Sequence, residues 1–423
     1  MMRRFLLSAL IFAGCSTFLN AQQRLWYGGL QPLQDSSNLT LHLGNVYQEL
    51  STNTPLSAWS GTTNATAATV HAHFEYRNDL LHVQYRADDA VFSYSMGLYQ
   101  RNSFHMDQGL FSILYGGVID SVGANYGQQR TSSFRQSFYG ERRFNEKLTA
   151  GVSFNLHARN SFNALNYTGG YIDTRKQAID IAAEGSYIAY NTPGIDTTFS
   201  IVQQGIPLTQ LEQPHISALA QPRWTPSLSF FVELKPTSFV RLRAQGENIA
   251  PRFYDNIRRD QIGYDMKQSA QEFSPGDFIE GEALESNYDY STTRTSSSDT
   301  ALVLYKHPAS LGSSLEVDFS NRISFLAVNH FTWYPEYVRV RLQALAKTAF
   351  SEDQFLITGL QTTNTHGRLH TNLVFAGATK IHPQMLLVFS TETLLNAAYV
   401  QRGFGPAPLS RYQFQCSLQI SIP

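Results

Sequence analysis

From Leu148 to Arg159 the chain alternates without a break. Leu148, Ala150, Val152, Phe154, Leu156 and Ala158 fall on one side, and Thr149, Gly151, Ser153, Asn155, His157 and Arg159 on the other. Side chains in a strand alternate faces, so this strand has one apolar and one polar face. A soluble strand usually runs about 5–6 residues, whereas one crossing a bilayer obliquely needs about 9–11. This one keeps its alternation for all of 148–159, and it pairs with the residues from Phe134 through a turn at Phe144-Asn145-Glu146-Lys147.

The same rhythm recurs along the chain. Thr69–Arg86 predicts a hairpin turning at Asn78-Asp79, which sets Glu75 opposite His82 and puts His71, His73, Glu75, His82 and Arg86 on one face. A strand follows over 90–102, and 111–117 fits either a helical turn or a strand. Residues 177–190 read as a strand. The next stretch, 191–226, holds Pro193, Pro207, Pro214, Pro222 and Pro226. Proline removes a ladder donor, so this is a long loop. A strong hairpin follows around Lys235-Pro236-Thr237-Ser238, with Leu228, Phe230, Val232 and Leu234 before it and Val240, Leu242 and Ala244 after it. Residues 249–298 form the longest irregular stretch, in which Ser274-Pro275 has the chemistry to open a short helix. Strands then fall near 313–319, 323–332, 337–348, 354–361, 367–378 and 384–393. The closing strand Arg411–Ile422 alternates Tyr412, Phe414, Cys416, Leu418, Ile420 and Ile422 against polar residues.

These elements predict an all-β fold, an antiparallel transmembrane β-barrel of about fourteen strands, with roughly twelve to sixteen compatible with an even count. The up-down order needs one more strand between 177 and 320, either inside 191–226 or at Thr300–Tyr305.

Composition agrees. Charged residues are only 15% and aromatics 13%, against about 25% charged in soluble domains. The net charge of −1 gives no basis for nucleic-acid binding. Residues 1–21 read as an export signal, with Arg3 and Arg4 before the apolar run 5–13, which is too short for a membrane helix. Cleavage after Ala21 is the main expectation. Phe12-Ala13-Gly14-Cys15 is the rival, a lipidation site at Cys15. The only other cysteine is Cys416, so the mature chain has no intramolecular disulfide, which fits a bacterial envelope protein. The expected division is a signal at 1–21, an N-terminal segment at 22–68 that tucks into the barrel mouth or forms an ordinary loop with short strands, and the barrel at 69–423 with long loops at 191–226 and 249–298.

The phrase Phe144-Asn145-Glu146-Lys147-Leu148-Thr149-Ala150-Gly151, the run into Gly246-Glu247-Asn248-Ile249, Lys306-His307-Pro308 before Leu311-Gly312, and the closing strand resemble a family of outer-membrane β-barrel proteins of unknown function found in Bacteroidetes. That family is broadly similar to long-chain fatty-acid transporters. The terminal Ile422-Pro423 departs from the aromatic end most such barrels carry. The resemblance implies a fold and an outer-membrane location, and it brings no catalytic residues with it.

Candidate chemistry is sparse. His71, His73, Glu75 and His82 form a local cluster with metal-ligand chemistry, set against the simpler reading of a polar lumen wall. Glu233, Arg241, Arg243, Glu247, Arg339 and Arg341 alternate with apolar residues and are candidates to line a lumen, as an anion-preferring surface or as ion pairs. Trp26, Trp59, Trp224, Trp333 and Tyr334 are candidate girdle or loop aromatics, set against plain packing. No Gly-x-Ser-x-Gly, phosphate-binding Gly loop or His-Glu-x-x-His occurs. The expectation is a passive outer-membrane channel or transporter for small, including hydrophobic, molecules, without enzyme activity or cofactor. Its partners would be outer-membrane lipid, the solute and other envelope proteins. The alternative is a non-transporting barrel that anchors or assists surface assembly or secretion.

Overall fold

The computed structural model describes residues 39–54, 68–115, 121–123, 125–173, 178–190, 224–250, 253–269, 290–305, 307–334, 337–351, 354–365, 368–382, 384–391 and 411–422. The strands are β1 (Leu39–Thr52), β2 (Thr69–Ala87), β3 (Ala90–Asp107), β4 (Ser121–Gly123), β5 (Tyr126–Asn145), β6 (Leu148–Asp173), β7 (Ala178–Tyr190), β8 (Trp224–Thr237) and β9 (Val240–Ile249). They continue as β10 (Phe253–Ser269), β11 (Tyr290–Tyr305), β12 (Ala309–Asp318), β13 (Ile323–Trp333), β14 (Val338–Ser351), β15 (Gln354–Thr365), β16 (Arg368–His382), β17 (Met385–Thr391) and β18 (Arg411–Ile422). One helix, α1 (Gln108–Tyr115), follows β3, and no helix among the described residues is long and apolar enough to cross a membrane.

The antiparallel ladders form a ring. From β1 they run through β2, β3, β5, β6, β8, β9, β12 and β13. From β13 they continue through β14, β15, β16, β17 and β18 back to β1. This cycle holds the expected fourteen strands. The remaining long strands extend it at one end: the upper half of β6 pairs with β7, β7 with β10, and β10 with β11. β11 contains Thr300–Tyr305, one of the two places where a further strand was expected.

The tight turns between β2 and β3, β5 and β6, β8 and β9, β12 and β13, β14 and β15, and β16 and β17 all fall at one end of the ring. The opposite end carries α1, β4, the β7, β10 and β11 extension and the connection from β17 to β18, together with the short links from β13 to β14 and from β15 to β16. Single-chain outer-membrane barrels show this asymmetry, with short turns on one side and long loops on the other.

Burial is inverted relative to a water-soluble protein. Leu242, Leu311, Leu315, Phe325, Leu342 and Leu360 are exposed on the outer face, while Glu49, Glu75, Arg243, Glu316, Arg339 and Arg341 are buried inside. An apolar outside around a polar inside is the arrangement a bilayer requires, because a closed ring leaves no unpaired edge in lipid.

Several expectations change. Thr69–Ala87 is one continuous strand, not a hairpin. Asn-Asp is a common turn signal, but β1 and β3 flank both edges here and a bulge between Asp79 and Leu81 absorbs the extra residue. At that bulge a Cβ on Gly97 would sit 2.3 Å from Asp79 Oδ1 and 2.7 Å from the Asn78 carbonyl, so the approach requires glycine. The true turn follows Ala87, where Asp88 adopts a positive φ of 38°. The barrel also starts at Leu39 instead of Thr69, since β1 is a wall strand between β18 and β2. Within the stretch 249–298, residues 253–269 and 290–298 are strand, in β10 and β11, instead of irregular. The signal segment, Trp26, Trp59, residues 191–223 and the Ser274 helix lie outside the described residues.

Candidate functional site

Near the tight-turn end, charged side chains join neighbouring strands. Arg243 on β9 donates from Nε to Glu233 on β8 at 2.7 Å and from Nη2 to Glu316 on β12 at 2.5 Å. Arg241 reaches Glu316 at 3.0 Å and Asp318 at 2.6 Å, and Lys347 on β14 lies 3.6 Å from Glu316. Strand alternation explains the set. Arg241↔Glu316 are ladder partners, and so are Glu233↔Arg243, so each pair projects from one face.

The second charged group lies toward the long-loop end and spans the lumen. Arg339 Nη1 on β14 donates to Glu49 Oε1 on β1 at 2.6 Å, and its Nη2 is 3.9 Å from Glu75 Oε2 on β2. The Tyr334 hydroxyl donates to Glu75 Oε2 at 2.8 Å. Arg77 donates from Nε to Glu75 Oε1 at 2.6 Å, and the Tyr47 hydroxyl bonds Glu49. Arg341 Nη2 is 3.6 Å from Glu49. The Tyr334 ring packs between Arg101 at 5.1 Å and Arg339 at 5.0 Å, stacks on Tyr337 and meets His73 edge-on. Burial holds the Tyr334 phenol well above its ordinary pKa, so it stays a donor. Of the two alternatives for Tyr334, girdle or loop, the structure has the loop: it lies in the link after β13 with its ring in the lumen, whereas Trp333 beside it is exposed outside.

A third inward element lies in the link between β11 and β12. His307 stacks on His157 of β6 with centroids 3.7 Å apart and packs against Tyr99 of β3. Burial, then Arg135, Arg77, Arg159 and Arg101, push its pKa down to about 3, so the ring is neutral. Asn248, held at a positive φ of 52°, donates from Nδ2 to the Pro308 carbonyl at 3.2 Å and fixes the link. Below it, a polar ladder crosses β5, β6 and β8: Arg135 donates to Asn155 at 2.9 Å, Asn155 to Ser229 at 2.9 Å, and His157 Nε2 lies 3.1 Å from Ser227 Oγ.

The opposite wall is apolar. Leu326, Val328, Leu345, Ile357, Val374, Ala376, Ala378, Leu386 and Val388 form one buried cluster, with Phe355 against it. These residues face the lumen: Leu326 is the ladder partner of Glu316, and Ile357 that of Lys347. From the long-loop mouth inward, the order is mouth, cross-lumen closure, then a level with one apolar and one polar wall.

The predicted lumen residues divide accordingly. Glu233, Arg241 and Arg243 belong to the wall cluster, and Arg339 and Arg341 to the cross-lumen closure. Glu247 shares the inward face of β9 higher up, opposite Ser310. The candidate metal set does not converge. His71, His73 and Glu75 share the lumen face of β2, but the single strand places His82 about 20 Å further along it, opposite Ser95. Among the described residues, no three metal-ligating side chains come together. Sequence reasoning missed Glu49, Glu75 as a closure residue, Tyr334, Glu316 and the apolar inner wall. Alternation in β12 marks Glu316 as inward, but nothing local places Glu49 beside Arg339.

No protein-family model matches the chain, and no curated protein sequence does. Solved structures similar in outline include a Pseudomonas aeruginosa FadL homologue, 9% identical over 97% of this chain and 96% of that one, with a TM-score of 0.48. The CymD monoaromatic hydrocarbon channel is 10% identical over 97% and 94%, with a TM-score of 0.45. The Ralstonia pickettii toluene transporter TbuX is 9% identical over 92% and 91%, with a TM-score of 0.44. With TM-scores below 0.5 these likenesses are descriptive, and the membrane-barrel reading rests on the closed ladders and the inverted burial.

Proposed function

We propose that this chain is an outer-membrane barrel that passes small hydrophobic or amphipathic molecules, in the envelope of a bacterium of the Bacteroidetes type. The observation that carries this reading is the inward-facing apolar wall of β13–β17. A lumen that conducts ions and hydrophilic solutes is polar throughout. An apolar wall inside the ring instead offers burial to an apolar solute, at roughly 25 cal/mol per Å² removed from water. The polar wall opposite it holds the fold and suits a solute with a polar end. Transport is passive, and the cross-lumen ionic group is the barrier that the solute must displace.

The test is uptake of a polarity-sensitive hydrophobic fluorophore into proteoliposomes, beside single-channel recording. The expected result is saturable uptake with little steady ion conductance. Val374→Asp and Leu345→Asn, each confirmed as folded by heat-modifiable migration, should slow uptake several-fold by putting a polar group on the solute's path. Equal uptake by these variants would remove the basis for the apolar path. The second reading, an accessory or anchoring barrel, draws on the closure by Glu49, Glu75, Arg339 and Tyr334. No uptake by folded protein, with capture of an envelope partner, would favour it.

A further inference from the structure

At the long-loop mouth the lumen face carries two imidazoles that neither the closure nor the apolar wall uses. His71 on β2 and His105 on β3 are directly opposed in the ladder, so both project from one face. Their ring centroids are 5.9 Å apart, with planes inclined by 39°. His71 is half-buried and His105 exposed, so both are reachable from the mouth. We propose that this cross-strand pair is a two-nitrogen site for a borderline divalent transition metal of the zinc, copper or nickel class.

Distance supports it. Two imidazoles on one ion, each with a metal–nitrogen bond of about 2.0–2.1 Å, have centroids roughly 4.5–6.4 Å apart as the bond angle opens. The observed separation lies within that range. Imidazole selects this class of metal over magnesium and calcium, which take oxygen ligands. The His105 ring lies over Gly127, its ladder partner on β5, where a Cβ would stand 2.3 Å from His105 Cε1 and 2.8 Å from its Nε2, so Nε2 must turn back toward His71 to share an ion. Asn166 Oδ1, from the next strand, stands 3.1 Å from the same Cβ position.

His73, two residues along the same face of β2, is not the partner. It is buried against Tyr334 and lies 3.7 Å from Glu75, within the closure. Asp107, the nearest carboxylate along β3, receives two hydrogen bonds from Asn125. Among the described residues no third His, Cys, Asp or Glu joins the pair, so the protein supplies two nitrogens and water the remaining positions.

The test uses tag-free, folded protein in detergent near pH 7.5, about one unit above the ordinary imidazole pKa. Zinc is titrated by calorimetry, and copper(II) paramagnetic resonance counts the bound nitrogens. The expected result is one ion per chain with two nitrogens. His71→Gln and His105→Gln should each weaken binding by roughly tenfold or more, because a chelate becomes a single ligand, while His73→Gln should leave it intact. Binding should also fade as the imidazoles take up protons in acid. A one-nitrogen spectrum, the absence of saturable binding, or loss on His73→Gln with retention on His105→Gln would overturn the proposal. The copper spectrum of the wild-type protein decides the nitrogen count even if a variant fails to fold.

Discussion

The two ionic groups use the same residue types to different ends. Around Arg243 the partners sit on β8, β9, β12 and β14, within one stretch of wall. Around Arg339 they sit on β14, β1 and β2, which are five and six ladders apart around the ring. The wall group ties neighbouring strands together along one side of the ring. The cross-lumen group joins near-opposite walls, so it closes the passage. Buried charge thus contributes to strand pairing in one place and to a barrier in the other.

That contrast can be tested directly. Arg243→Ala removes the cation shared by Glu233 and Glu316 and leaves two buried carboxylates under-compensated. It should cost about 3–5 kcal/mol in urea unfolding of the detergent-folded barrel and leave ion conductance as in the wild type. Arg339→Ala takes the closest cation from Glu49 but leaves Arg341 and the Tyr47 hydroxyl beside it, and water entering the opened lumen can rehydrate it. The expected stability loss is therefore smaller, about 1–3 kcal/mol, and single-channel steps should appear where the wild type is nearly silent. If Arg339→Ala stays silent and Arg243→Ala conducts, the roles assigned to the two groups are reversed. Tyr334→Phe removes one of several bonds to Glu75 and should cost about 1 kcal/mol, with brief openings in place of stable ones.

The smallest effect at neutral pH comes from His307→Asn. The folded imidazole sits at about 3, below its ordinary 6.5. The unfolded chain therefore takes the proton first, and stability contributed by the neutral ring is complete above about pH 6.5 and lost as pH falls toward 3. Wild-type barrels should melt at progressively lower temperature over that window. The variant should show a shallower acid limb, and an unchanged limb would assign the acid sensitivity to other groups.

Much of the ring was legible because alternation is a local property. The turn at Asn145-Glu146-Lys147, the strands from β12 to β18 and the strand at 178–190 all follow from apolar and polar residues two apart. The errors have local causes as well. Asn78-Asp79 carries turn chemistry inside a strand whose two edges are both occupied. The residues of β10 and β11 lack clean alternation. β1 passes for a loop because Ser, Thr and Asn are common in and around it. The inward positions of Glu233, Arg241, Arg243, Glu247, Arg339 and Arg341 follow from alternation too, since period two fixes which face a residue takes.

The sequence by itself determined that strands this long and this regularly two-faced need lipid outside and polar groups inside. Only the tertiary structure decided what meets across the lumen. Glu49 and Arg339 are 290 positions apart in the chain, and their contact depends on how many strands close the ring and how each ladder is registered. The same holds for the apolar inner wall. Leu326, Leu345, Ile357, Val374 and Val388 each look like ordinary strand residues, and they become one surface only when five consecutive ladder neighbours turn those faces inward.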